Sequence, residues 1–275
     1  MTTEVKHQGR LGRLLLTGAA GALGQVLRER LKPYAAVMRL SDIAAMAPAR
    51  EAEEVVRCDL ADKAAVDRLV QDCDAIVHLG GISVERPFEE ILEANIAGVF
   101  HVYEGARRHG VRRVVFASSN HVVGFHRQDV RLDADAPRRP DGYYGLSKSF
   151  GEDLSRLYYD RYGIETACLR IGSSYPEPKD RRMLATWLSY GDLTELVRCS
   201  LFAPGLGHTV VYGVSANPQT WWDNAKAAHL GYQPRDSSQA LQAAPTTLAA
   251  PDPGDPAAQY QGGEFVKNGP YETLD

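Results

Sequence analysis

The sequence predicts an α/β fold, a doubly wound parallel sheet, and three observations carry that prediction. Apolar, β-branched runs of strand length recur at 13–17, 36–41, 54–58, 75–79, 113–118 and 166–171, and amphipathic helical patterns separate most of them. A glycine-rich turn follows the first run directly. At 275 residues the chain is near the upper limit for one hydrophobic core, so one α/β domain with a small appendage is the expected plan.

The first run ends in Thr17-Gly18-Ala19-Ala20-Gly21-Ala22-Leu23-Gly24, a G-x-x-G-x-x-G that opens a helix carrying Leu23, Leu27 and Leu31. Glycines let the backbone approach a pyrophosphate, and the unpaired N–H groups of a helix start attract one. Gly18, Gly21, Ala22, Leu23 and Gly24 are therefore candidate dinucleotide contacts in a Rossmann-type arrangement; the competing reading is a tight turn. The second run ends at Asp42, roughly the ~20 residues past the glycine loop at which an acid bonds the adenosine ribose hydroxyls. A carboxylate there repels a 2′-phosphate, so NAD is expected rather than NADP. Arg39, two residues earlier on the strand, does not share that strand-end place.

The third and fourth runs end in Cys58-Asp59-Leu60 and His78-Leu79-Gly80-Gly81, at the carboxyl ends where open α/β sheets bind ligands. Asp59 is a candidate acceptor from the adenine amino group, or a turn residue ahead of a helix starting near Asp62. Leu60, Leu79, Gly80, Gly81 and Ile171 complete the candidate cofactor cradle. Segment 88–110 reads as a helix with Phe88, Leu92, Ile96, Val99, Tyr103 and Ala106 on its core face and Gly110 as its stop. Asn95 falls on that apolar face, where an unsatisfied amide is costly, so it needs partners, a water leading to Lys148 among them.

Residues 125–143, with Pro137, Pro140, Gly142 and several charges, read as an irregular surface connection ahead of a helix beginning near Tyr144. Beyond Ile171 the alternation weakens into short helices near 183–190 and 192–202, a strand at 209–212 and a Pro-rich stretch at 244–257. Two regions follow: a dinucleotide-binding core over 1–171, which includes the Tyr144 helix, and a small C-terminal substrate-capping region over 172–275, packed on the same domain with its tail on the surface.

Tyr144-Gly145-Leu146-Ser147-Lys148 puts a phenol and an ammonium one helical turn apart on one face. The positive charge should favour the phenolate and bring the phenol far below its ordinary pKa of about 10, which makes Tyr144 a candidate base with Lys148 as its helper. Ser119, at the end of the fifth run, is placed to bond the reacting oxygen, in competition with its neighbours Ser118 and Asn120. The alternative for Ser119 is strand-end capping.

Composition narrows the classes. The chain is 44% hydrophobic and 24% charged with a net charge of -4, which gives no reason to expect nucleic-acid binding and requires a local cation for any anionic substrate. Cys58, Cys73, Cys168 and Cys199 form no C-x-x-C pair, which argues for reduced buried thiols and against a zinc knuckle; no metal is expected. The first thirteen residues lack the apolar stretch of a secretion signal, and no run approaches the roughly 18 apolar residues of a membrane span, so a cytoplasmic protein with no membrane partner is expected.

The glycine loop, Asn95, Ser119 and the Tyr144/Lys148 pair together resemble the extended short-chain dehydrogenases/reductases. More narrowly, the stretches His78-Leu79-Gly80-Gly81-Ile82-Ser83-Val84-Glu85, Ala117-Ser118-Ser119-Asn120-His121, Arg170-Ile171-Gly172-Ser173 with Pro176-Glu177-Pro178 and Arg182-Met183-Leu184, Trp221-Trp222-Asp223-Asn224 and Gln261-Gly262-Gly263 are similar to the bacterial uronate dehydrogenases of that family. The resemblance implies Tyr144 as base, Lys148 as helper and ribose ligand, Ser119 as hydroxyl partner of the reacting sugar carbon, and Asn95 as part of the catalytic and cofactor-binding set. It also implies Ser83, Asn120, His121, Ser173 and Arg182, with Ser119 and Tyr144, as the holders of a small-molecule uronate. The reaction it implies is NAD-dependent oxidation of cyclic glucuronate or galacturonate at C1 to an aldarolactone, in a homo-oligomer of unstated size. Ser174-Tyr175 departs from the pattern, and no contacts are carried over there. For Arg182, Arg181 and Lys179 are rivals as the carboxylate anchor; His121 reads alternatively as a loop histidine, and Trp221 and Trp222 as core. A nucleotide-sugar epimerase or dehydratase is the runner-up, but only about a hundred residues follow Ile171 to enclose a sugar nucleotide. A non-catalytic NAD-sensing protein is the remaining alternative.

Overall fold

Period-two burial in the first strand sets the architecture. In β1 (Leu11–Thr17), Leu14 and Leu16 enter one apolar cluster and Leu15 the other, all fully buried, as a strand covered on both faces requires. The computed structural model describes residues 9–239 and 252–269, so most of the Pro-rich stretch expected at 244–257 lies outside the described residues.

Six further strands join β1 in one parallel sheet: β2 (Ala35–Asp42), β3 (Glu53–Arg57), β4 (Ala75–His78), β5 (Arg113–Ser119), β6 (Glu165–Ile171) and β9 (His208–Gly213), in the order β3-β2-β1-β4-β5-β6-β9. A two-stranded pair, β7 (Ser173–Ser174) with β8 (Trp187–Leu188), lies outside it. The order reverses direction at β1, between β2 and β4, the place where doubly wound sheets bind ligands. On one face α1 (Ala22–Arg30) and α7 (Tyr190–Phe202) pack together, and Leu27, Leu193 and Leu196 share a core with Leu14 and Leu16. On the other face lie α2 (Lys63–Val70), α4 (Gly98–His109) and α5 (Tyr143–Tyr162), with Val66, Val102, Phe116 and Leu154 around Leu15. Strand β9 and helix α7 come from beyond residue 171 and belong to these same layers.

Three expectations are corrected. Segment 88–110 is a short helix α3 (Phe88–Ile91), a wide π-turn (Leu92–Ala97) and then α4, and the wide turn shifts the register so that Ile91 and Asn95 face inward. Phe88 and Leu92, assigned to the core face, are instead 37% and 41% exposed, and Ile96 is half-buried, while Val99, Tyr103 and Ala106 are buried as expected. The helix expected at 183–190 stops after one turn, α6 (Met183–Thr186), because β8 intervenes before Ser189 caps α7 with its hydroxyl. Finally, the 125–143 connection is not simply surface: it is bridged to Tyr260 and Trp222, and its Asp141 is only 4% exposed.

Candidate active site

The carboxyl ends of the strands open into a cleft of about 890 Å³, lined by the glycine loop at one end and by residues 172–175, 182–183 and 262–265 at the other. Every residue nominated from the sequence lines it except Asn95.

At the glycine-loop end, backbone crowding decides the residue types. Gly18 has φ +71°, and a Cβ there would lie 2.8 Å from the Gly80 nitrogen; one on Gly24 would lie 2.1 Å from the Gly18 carbonyl oxygen. Gly21 precedes α1 with no side-chain cap and no acid in the first turn, so the first N–H groups of the helix remain open toward the cleft. Asp42 accepts from Ala20 N and Ala44 N, each at 2.9 Å, and so pins the glycine loop to the end of β2. Arg39 is turned away, bound to Glu54 at 2.6 Å and to the Leu69 and Gln71 carbonyls. Asp59 accepts from Ala61 N and holds a turn at the cleft wall, while Asp62 caps α2. A glycine floor with open amides and a strand-end acid is a donor set that fits NAD. Asp42→Ala is expected to raise the NADP-to-NAD ratio of kcat/KM; an unmoved ratio would assign ribose reading to another group.

At the other end, strand β5 delivers Ser119 and helix α5 delivers Tyr144 and Lys148. Successive β5 residues point to opposite faces: Ser118 donates to Glu152 Oε1 at 2.7 Å, while Ser119 lines the cleft with Tyr144 and accepts from His121 N at 3.2 Å. Tyr144 and Lys148 are both buried, and the Lys148 ammonium lies 5.7 Å from the Tyr144 ring centroid and 5.1 Å from that of Phe116. Burial depresses Lys148 to about 8. It also pushes Tyr144 up to about 12, against the partial offset of the Ser119 hydroxyl and with a further rise from Asp141. Without a ligand the phenol is thus raised where the spacing argument expects it lowered, because desolvation is the largest cause and Lys148 is not among the groups that offset it. His78, buried beneath the cleft and bonded to Thr17, is held neutral by burial at about 3.

Asn95 is buried and has the partners an inward amide requires. Its Oδ1 accepts from Ile82 N at 2.7 Å, and its Nδ2 donates to the Ile82 carbonyl at 3.0 Å and to Ser147 Oγ at 2.9 Å. These bonds clamp the loop after β4 to α5 beside the cleft.

One guanidinium faces the cleft. Arg182 donates to the Gln261 carbonyl from Nε (2.9 Å) and Nη2 (2.6 Å), and to Ser173 Oγ from Nη1 at 3.1 Å. In the amide orientation that satisfies both groups, Asn120 accepts from Arg182 at 2.7 Å and donates to the Ile171 carbonyl. These partners are neutral, and burial holds the Arg182 pKa below its ordinary value. Its rivals point elsewhere: Arg181 is exposed, and Lys179 lies 3.9 Å over the Tyr175 ring. Ser83 is exposed at the cleft mouth.

Four supporting residues carried no assigned role in the sequence reading. Glu85 caps α5 by accepting from Tyr143 N (2.7 Å) and Tyr144 N (2.9 Å). Asp141 accepts from His121 Nδ1 at 2.6 Å, and Phe265 stacks on the His121 ring at 3.8 Å. Gln261, fully buried, is fixed by the Trp222 indole at 2.9 Å and by the Arg127 and Val130 carbonyls, which in turn holds Arg182. Trp222 is core, stacked on Tyr212. These partners come from segments distant in sequence, and no local pattern announces them.

The model of the NAD dependent epimerase/dehydratase family matches residues 14–198. A uronate dehydrogenase of Pseudomonas putida is 64% identical over 260 residues, covering 94% of this chain and 97% of that one. The chain belongs to the uronate dehydrogenases of this family. Among solved structures, a mutant uronate dehydrogenase from Agrobacterium tumefaciens complexed with NAD superposes with a TM-score of 0.93 at 52% identity, covering 95% of this chain and 99% of that one. The glucuronic acid dehydrogenase of Chromohalobacter salexigens gives 0.90 at 54% identity, covering 94% and 98%.

Proposed function

We infer that the protein is an NAD-dependent oxidoreductase that oxidises a uronic acid at C1, with glucuronate and galacturonate as the candidate substrates and an aldarolactone as product. The observation that carries this reading is a guanidinium, Arg182, with neutral partners in the same cleft as the Ser119, Tyr144 and Lys148 set. A phenol and hydroxyl suit an alcohol that loses a proton, and a guanidinium whose hydrogen-bond partners are neutral suits an acid.

NAD, when bound, would supply the hydride acceptor. Tyr144 takes the proton of the anomeric hydroxyl, Ser119 holds that oxygen, and the Lys148 ammonium stabilises the phenolate that forms. Arg182, supported by Ser173 and Asn120, grips the sugar carboxylate, with Ser83 and His121 as further hydroxyl contacts. The segments 172–186 and 260–267 cap the sugar end. Purified protein incubated with NAD and either uronate should accumulate NADH by absorbance, with none formed from a UDP-sugar; no NADH from either uronate, with a UDP-sugar converted at no net change in NADH, would favour the nucleotide-sugar reading instead.

A charged hydrogen bond of this kind is worth roughly 1.5–3 kcal/mol, so Arg182→Ala is expected to lower kcat/KM for uronate by on the order of tenfold to more than a hundredfold. NAD affinity should hardly move, and the loss should be much smaller with the neutral parent aldose. Equal losses on both sugars would make Arg182 a loop support.

No helix among the described residues is long and apolar enough to cross a membrane. Four free, buried thiols suit a reducing compartment, which supports a cytoplasmic placement. A homo-oligomer is supported by the exposed apolar residues Phe88, Leu92 and Phe100 with Leu146, Phe150 and Leu157 of α5. Sedimentation of the purified protein tests it.

A further inference from the structure

Asp141 is a buried acid that the reaction above leaves unused. One carboxylate oxygen accepts from His121 Nδ1 at 2.6 Å, and the other is buried with no hydrogen-bond partner among the described residues. The space it occupies is made by glycines from three separate segments. A Cβ on Gly124 would lie 1.8 Å from Asp141 Oδ2 and one on Gly262 2.0 Å from it, while one on Gly145 would lie 3.1 Å from Oδ1. The 120–124 turn, the start of the catalytic helix and the C-terminal segment are therefore each shaped around this carboxylate. His121 is fixed just as closely: its face is covered by Phe265 and its edge meets Tyr144 at 5.8 Å. With Nδ1 engaged and the ring on the cleft wall, Nε2 is the polar atom left for a ligand.

We propose that Asp141 is a positioning residue for substrate recognition: it fixes His121 as the neutral tautomer protonated on Nδ1, so that Nε2 offers a lone pair to a hydroxyl of the sugar acid. The proposal rests on the reading of this cleft as a sugar-acid site. A carboxylate accepts only, so the proton between the two belongs on Nδ1, and a neutral imidazole then has an acceptor at Nε2. The charged groups facing the ring are Asp141 and Glu85, which favour the imidazolium, and Arg182, which opposes it. Burial, reinforced by Arg182, outweighs the two carboxylates and holds the ring below its ordinary pKa, while the Tyr144 phenol beside it is neutral at working pH. The device sets a direction for one hydrogen bond rather than supplying charge, so it should act on substrate affinity more than on the chemical step.

The test begins with the unsubstituted protein. Nitrogen-15 NMR of the imidazole side chains, with the His121 signals assigned by their loss in His121→Gln, should find Nδ1 protonated and Nε2 bare between about pH 6 and 8. In Asp141→Ala the proton should move to Nε2, and KM for uronate should rise by about tenfold or more while kcat changes less than about threefold and NAD affinity is unchanged. A wild-type ring protonated on Nε2, or doubly protonated at pH 7, overturns the proposal without any substitution. So does an Asp141→Ala protein in which kcat falls with KM unmoved, or in which both worsen equally, the signature of a merely structural role. If the wild type oxidises no uronate, the substrate reading fails, and the recognition clause with it, whatever tautomer is found.

Discussion

Replacing Tyr144 by phenylalanine is expected to lower uronate turnover by about 10²-fold or more, the usual cost of losing a general base, while NAD binding stays nearly unchanged. The ring is buried at the start of α5 and keeps its contacts with His121 and Phe265 when the hydroxyl is removed, so the cleft should keep its shape. What disappears is the one atom placed to take a proton beside Ser119. Without ligand the phenol is held up at about 12 by burial, so its use as a base depends on positive charge gathered on complex formation. The ammonium that helps is itself depressed to about 8 by burial; its charge is lost as pH rises through that value. Lys148→Ala should accordingly reduce both turnover and cofactor affinity. Turnover in Tyr144→Phe at a tenth of wild type or above would remove Tyr144 from the role.

The second large effect is on stability and lies beneath the catalytic strand. Glu152 and Arg170 are each almost wholly buried, and Arg170 grips the carboxylate with two bonds of 2.9 and 2.8 Å. Ser118 donates to the same carboxylate at 2.7 Å, and Arg170 also donates to the Tyr212 hydroxyl at 3.0 Å. Removing one member leaves the other as an uncompensated buried charge, so Glu152→Ala is expected to destabilise the fold by about 3–5 kcal/mol in urea unfolding. Replacing the pair together, Glu152→Leu with Arg170→Met, should recover much of that loss, because the penalty comes from the orphaned charge rather than from a missing attraction. A single-variant loss under about 1 kcal/mol would contradict the account, since surface pairs cost no more than that.

The sequence alone was sufficient for the layers and for the candidate groups that the cleft gathers, Ser119, Tyr144 and Lys148. Strand runs were legible because parallel strands buried on both faces must be continuously apolar, as Leu14, Leu15 and Leu16 are. The glycine loop was legible because Gly18 and Gly24 stand where a Cβ would strike backbone, which ties residue type to local geometry. Tyr144 and Lys148 were legible because one helical turn fixes their relation. All of these are short-range constraints, written within a few residues.

Tertiary structure decided what depends on segments far apart. The wide turn at Leu92–Ala97 rotated Phe88 and Leu92 out of the core and turned Asn95 toward Ile82 and Ser147, a change of register that periodicity does not encode. Asp141 read as loop composition, yet the C-terminal segment closes over it and makes it the partner of His121. The ligand-free Tyr144 phenol is likewise raised by desolvation, a contribution that the spacing of Tyr144 and Lys148 does not contain. Sequence spacing fixes which groups share one turn or one strand end; burial and long-range partners, which set charge and orientation, exist only once the chain has folded back on itself.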